Sequence, residues 1–76
     1  MSYNIRSQNK RSIMEAREIW IPDDNLKDIM ASPGGSNERY EVVGSFTTEE
    51  EAMEVLNDIY EWIARGAIGV YQIGGE

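Results

Sequence analysis

Three features of this 76-residue chain predict an α+β fold with one sheet and one helix. A capped amphipathic segment from about Thr48 to Arg65 reads as the helix. Alternating or β-branched stretches before it read as strands. A short extended stretch after it returns the chain to the sheet. The expected order is β-β-β-β-α-β: an antiparallel meander of about four strands, one helix on one face, and a C-terminal strand at a sheet edge beside the first. Length and the lack of an internal repeat give one domain over residues 1–76.

The elements follow in chain order. Tyr3, Ile5 and Ser7 alternate with Asn4, Arg6 and Gln8, a strand signal, and Asn9 and Lys10 can turn the chain. Helix and strand compete over Ser12–Ile21. Ser12 and Glu15 could cap a helix, and the residues between Met14 and Glu18 are good helix formers. Against that, Ile13, Ile19 and Ile21 share a period-two face and Ile19-Trp20-Ile21 is strand-like, which favours a strand bulged near Arg17. Pro22-Asp23-Asp24-Asn25 is a turn, Lys27–Ala31 a short strand, and residues 32–39 a flexible loop. Tyr40–Phe46 is a strand, with Tyr40, Val42, Gly44 and Phe46 on one side.

For the helix, Thr47 and Glu50 fit a capping box, and Glu49, Glu50 and Glu51 suit the positive end of the dipole. Ala52, Leu56, Ile59 and Ile63 form its apolar stripe, and Gly66 supplies the left-handed residue that ends it. Ala67–Ile73 is the last strand, and residues 74–76 are expected to fray.

Composition narrows the function. With no cysteine and no histidine there is no thiolate nucleophile, imidazole base or histidine metal site, so neither an enzyme nor a metal or cofactor protein is expected. Seven cations against fourteen acids give a net charge of -7, which disfavours direct nucleic-acid binding. The charge is uneven: Arg6, Lys10 and Arg11 make residues 1–11 +3, and the remainder carries -10. No apolar run resembles a signal peptide or a membrane span, so a cytoplasmic protein without membrane partners is expected.

The segment Ile5–Arg11 is the most chemically loaded. Arg6, Gln8, Lys10 and Arg11 offer donors to phosphate or carboxylate oxygens, and Tyr3 or Trp20 could stack on a base. The bland alternative is a hairpin whose arginine pairs with the acidic helix or strands. On the helix, Glu50, Glu54, Asp58 and Glu61 line the outer face, which reads either as a solvated surface or as a stripe that mimics nucleic-acid phosphates. Asp23, Asp24, Asn25 and Asp28 lack the spacing of a calcium loop, and Ser32–Ser36 lacks the lysine of a phosphate loop. Six large tyrosine and tryptophan side chains in so small a domain suit a homo-oligomer contact.

The stretch IRSQNK at 5–10, followed by Ile13, Ile19 and Ile21, resembles a family of small proteins from Gram-positive bacteria, their phages and mobile elements. YEVVGSFTTEEEAMEVLNDIYEWI at 40–63 is similar to that family's strand–glycine–aromatic–threonine–helix pattern, and VYQI at 70–73 to its last strand. Asn9 stands where the family commonly has aspartate, and Gly74 where a proline often follows. The resemblance supports the strand reading of residues 12–21. It implies a phage or mobile-element accessory role and no catalytic residue. The expected function is therefore non-enzymatic: antagonism of host defence by sequestering a small anionic nucleotide-type signal. The alternative is an acidic protein–protein inhibitor, a nucleic-acid mimic or anti-CRISPR-like protein, that engages a host protein through the outer helix face.

Overall fold

A computed structural model of the chain describes residues 2–34 and 39–74. The fold is α+β, with elements in the order β1 (Tyr3–Arg6), β2 (Ile13–Ala16), β3 (Glu18–Trp20), β4 (Asp28–Ser32), β5 (Glu41–Ser45), α1 (Glu49–Ala64) and β6 (Val70–Gln72). Residues 35–38 of the expected flexible loop, and residues 75 and 76 of the expected tail, lie outside the described residues. The Cα radius of gyration, 11.5 Å, is that of one packed domain of this length.

The meander is divided. The strands form two three-stranded sheets, β2-β1-β6 and β3-β4-β5. The division falls at Arg17, where the predicted bulge is a full bend between β2 and β3, and the Arg17 amide donates to the Ser32 carbonyl at 2.7 Å. The bend also reverses which residues point inward. In β2 the even positions turn in, with Ala16 buried and Met14 against the core; beyond the bend Ile19 and Ile21 do so. Ile13 consequently leaves the face it was expected to share with Ile19 and is 60% exposed.

The C-terminal strand lies beside the first, as expected, and runs parallel to it, with Ile5 opposite Tyr71. Such a pairing needs a long crossover, and α1 supplies the final leg. Ile5, Ala16, Ile29, Ala31, Val43, Ile59 and Ile73 form the core, drawn from both sheets and the helix.

The helix starts one residue later than the predicted capping box. Thr48 is the N-cap: its hydroxyl accepts from the Glu51 amide at 3.1 Å, and the Glu51 carboxylate accepts from the Thr47 and Thr48 amides. Glu51 rather than Glu50 sits at the third helical position, the only one whose side chain reaches back to the cap. At the other end Gly66 takes φ +110°, Gly66 N–H donates to the Ile63 carbonyl and Ala67 N–H to that of Trp62. That pair of bonds closes the helix in the manner of a Schellman cap.

β5 departs from strict alternation. Its register against β4 slips between Ile29 and Met30, so Val43 and Gly44 are both buried while Val42 is 49% exposed. Tyr40 and Val42 thus do not share the inward face with Gly44 and Phe46. A Cβ on Gly44 would lie 2.8 Å from Ile73 Cγ2 and 3.1 Å from Phe46 Cε2, so a glycine here lets β6 close on β5. Gly44→Ala should destabilise the protein by about 1–3 kcal/mol through overpacking. Urea unfolding should show a lower midpoint with an unchanged slope.

Candidate functional site

The hairpin between β1 and β2 is held by its own side chains. Ser7 N–H donates to the Ser12 carbonyl at 2.9 Å, and Asn9 Oδ1 accepts from Ser7 Oγ and from the Arg11 amide. Lys10 takes φ +66°, and its carbonyl accepts from Arg6 Nη2 at 3.2 Å. Gln8 reaches further. Its backbone N–H donates to the Val43 carbonyl, its Oε1 accepts from the Ser45 amide at 2.9 Å, and its Nε2 donates to the Gly74 carbonyl at 3.1 Å. Both polar ends of that amide are therefore occupied in joining the hairpin to β5 and to the end of β6.

Arg6 donates to a backbone carbonyl and, among the described residues, to no carboxylate. Among the described residues the one ion pair is Arg65–Glu61, exposed and 3.9 Å long. Among the described residues Arg6, Lys10 and Arg11 thus carry their charge on one hairpin without an acidic partner, and the expected pairing of the arginine with acidic helix or strands does not form. Beside them a small cleft of about 160 Å³ is lined by Ser7, Gln8, Asn9 and the stretch Val42–Ser45.

The two predicted aromatic members lie elsewhere. Tyr3 stands at the far end of β1, three residues from Arg6 and so about 10 Å along the strand. Its ring meets Trp62 edge-on at 6.3 Å, and Trp62 in turn meets Tyr71 at 5.5 Å. Trp20 belongs to the other sheet and meets Tyr40 at 6.1 Å. Arg6, Gln8, Lys10 and Arg11 therefore share one hairpin, with Arg6 on the Lys10 carbonyl and Gln8 turned to Ser45 and Gly74, while Tyr3 and Trp20 lie outside it.

Of the helix acids, Asp58 accepts from the Tyr71 hydroxyl at 2.6 Å and Glu61 pairs with Arg65. Glu50 and Glu54 are exposed, with Met53 and Tyr60 exposed on the same helix, 48% and 72%. A shallow apolar groove lined by Ile19, Leu56, Ile59, Tyr60 and Ile63 runs along one flank. Sequence reasoning missed a cleft of about 470 Å³ on the outer side of β3-β4-β5, where Trp20, Met30, Tyr40 and Val42 meet Asp24 and Asp28. Its one sequence signal was Tyr40 and Val42 sharing a side; the slip in β5 decides which side.

Comparison with protein-family models, with curated proteins and with solved structures yields no match. The site's chemistry therefore rests on its own geometry. Among the described residues no helix is long and apolar enough to cross a membrane.

Burial, then the hydrogen bond to Asp58 and its negative charge, hold the Tyr71 hydroxyl well above the usual tyrosine range. The neutral phenol is the form that the fold favours. Its contribution to stability is full below the unfolded value of about 10 and is lost as pH rises towards the folded value. An ultraviolet titration should show a tyrosine that ionises only above the usual range, and Tyr71→Phe should remove it together with the matching alkaline loss of stability.

Proposed function

We propose that this chain is a non-enzymatic accessory protein of a phage or mobile element that antagonises host defence by sequestering a small anionic nucleotide-type signal. One observation supports the ligand class above all: three cations, Arg6, Lys10 and Arg11, share a hairpin with no carboxylate in ion-pair reach among the described residues. Unneutralised cations on a body of net negative charge attract anions there and repel them elsewhere. Phosphate oxygens suit two guanidinium forks and an ammonium. Gln8 acts as the strut that fixes the hairpin, since its amide is spent on Ser45 and Gly74. The phage or mobile-element setting and the cytoplasm of a bacterial host rest on the family resemblance.

The adjoining cleft of about 160 Å³ is smaller than the roughly 300–1,000 Å³ of most small-molecule sites. It can seat a phosphate group and not a whole nucleotide. A homo-oligomer, with a second copy completing the enclosure, follows from that shortfall. Trp20 is not part of this reading, because Asp24 and Asp28 line its cleft and disfavour phosphate.

A second reading has its own observation. Glu50 and Glu54, exposed near Met53 and Tyr60, give the helix an acidic and apolar outer surface fit for a basic host protein.

Calorimetric titration with a panel of cyclic mono- and dinucleotides tests the first reading. Binding should weaken with salt, and Lys10→Gln with Arg11→Gln should weaken it at least about tenfold, because charge-assisted hydrogen bonds contribute roughly 1.5–3 kcal/mol each. Neither side chain makes a hydrogen bond or ion pair among the described residues. Absence of binding, or binding indifferent to both substitutions, would sink the idea. If Glu50→Lys with Glu54→Lys abolishes inhibition of a host protein while the hairpin variant does not, the second reading takes its place.

A further inference from the structure

The outer face of β3-β4-β5 carries a second site, independent of the hairpin. Register places Trp20 opposite Met30 and Met30 opposite Val42, a row across three strands. The inner face of the same sheet supplies Ile29, Ala31 and Val43 to the core that α1 covers. Met30 at the centre of the row is buried, 8% exposed, whereas Val42 at 49% and the neighbouring Tyr40 at 62% are open. Trp20 and Tyr40 meet edge-to-face at 6.1 Å and 65°. Asp24 and Asp28 stand in the same cleft of about 470 Å³. Asp28 Oδ2 accepts from Asn25 Nδ2 at 2.9 Å, and neither aspartate has a lysine or arginine in ion-pair reach among the described residues. Arg39, beside Tyr40 in sequence, lines a neighbouring cleft with Glu15 and Glu41.

We propose that this cleft binds a cationic side chain, arginine or lysine, presented by a partner protein. Aromatic faces attract a cation through their quadrupole, and a guanidinium stacks on them while donating to carboxylates at its rim. The two aspartates set the sign of the occupant: an anion is repelled and a neutral apolar group leaves them unpaired. The exposed parts of Tyr40 and Val42, which line the cleft, extend an apolar surface over which the backbone of such a partner lies. Aromatic residues enclosed by a polar rim are the usual anchors of protein–protein contacts.

Nuclear magnetic resonance of the full-length labelled chain provides the test, with a short peptide bearing one central arginine as probe. The Trp20 indole N–H and the Tyr40 amide should shift and saturate. Replacing the arginine by its neutral isostere citrulline should weaken binding at least about tenfold, as should Asp24→Asn with Asp28→Asn in the protein. Lys10→Gln with Arg11→Gln should leave the peptide's affinity unchanged, which separates this site from the hairpin reading. No shift at Trp20, or equal binding of the citrulline peptide, overturns the proposal. Equally tight binding of free spermidine overturns it in favour of a polyamine. A dimer in sedimentation that Trp20→Leu dissociates while amide dispersion is retained overturns it in favour of a second copy of this chain.

Discussion

Two three-stranded sheets of this size cannot each hide their own edges, and the contact on which their union depends is the Gln8 side chain. A single amide accepts from β5 and donates to the carbonyl of Gly74, while its backbone N–H reaches Val43. That amide ties the β1 hairpin to β5 and to the end of β6 at once, beside the bonds from Ile73 N–H to the Arg6 carbonyl and from Gln72 Nε2 to the Ser7 carbonyl. The opposite seam is made by the chain itself, which bends at Arg17 and passes from one sheet into the other. Between these seams, among the described residues, lies a connected core of seven buried side chains, none larger than isoleucine, with partly buried ones such as Phe46, Leu56 and Trp62 packed against it. So little burial leaves the small polar joints a large share in specifying the arrangement.

The loaded run Ile5–Arg11 therefore does two kinds of work. Ser7, Gln8 and Asn9 are spent on geometry, with their polar atoms bonded to backbone or to each other. The charges of Arg6, Lys10 and Arg11 have no ion-pair partner among the described residues. Asp58 behaves in the same way on the helix, where its carboxylate serves the Tyr71 hydroxyl as well as the surface.

Helix α1 and the strand before it were legible in the sequence, because each rests on local periodicity or a local cap, and the place of the last strand beside the first followed from topology. Three features were not. The capping box slid from Thr47 to Thr48, since Thr47-Thr48 followed by three glutamates allows two registers and only packing chooses. The bend at Arg17 shifts inward residues by one, so Ile13, Ile19 and Ile21 looked like one face and are two. The register slip in β5 is a property of the β4 pairing and leaves no mark on the residues themselves. At the candidate site the clustering of Arg6, Gln8, Lys10 and Arg11 could be read from their spacing. The remoteness of Tyr3 and Trp20 could not, because it depends on which sheet each strand joins.

The parallel pairing of β1 with β6 has a consequence for the order in which the molecule is made. Strands β3, β4 and β5 are contiguous and antiparallel, and can zip together once Ser45 has left the ribosome. β1 is synthesised first but finds its second neighbour only when Val70–Gln72 arrives. The Gln8 clamp spans 66 residues and likewise waits on Gly74. Until then the nascent chain exposes one edge of β1 and the underside of its core, and loop-closure entropy opposes the final step. The two sheets thus differ in contact order: β3-β4-β5 pairs between neighbours in sequence, whereas β2-β1-β6 waits on a strand from the far side of the helix.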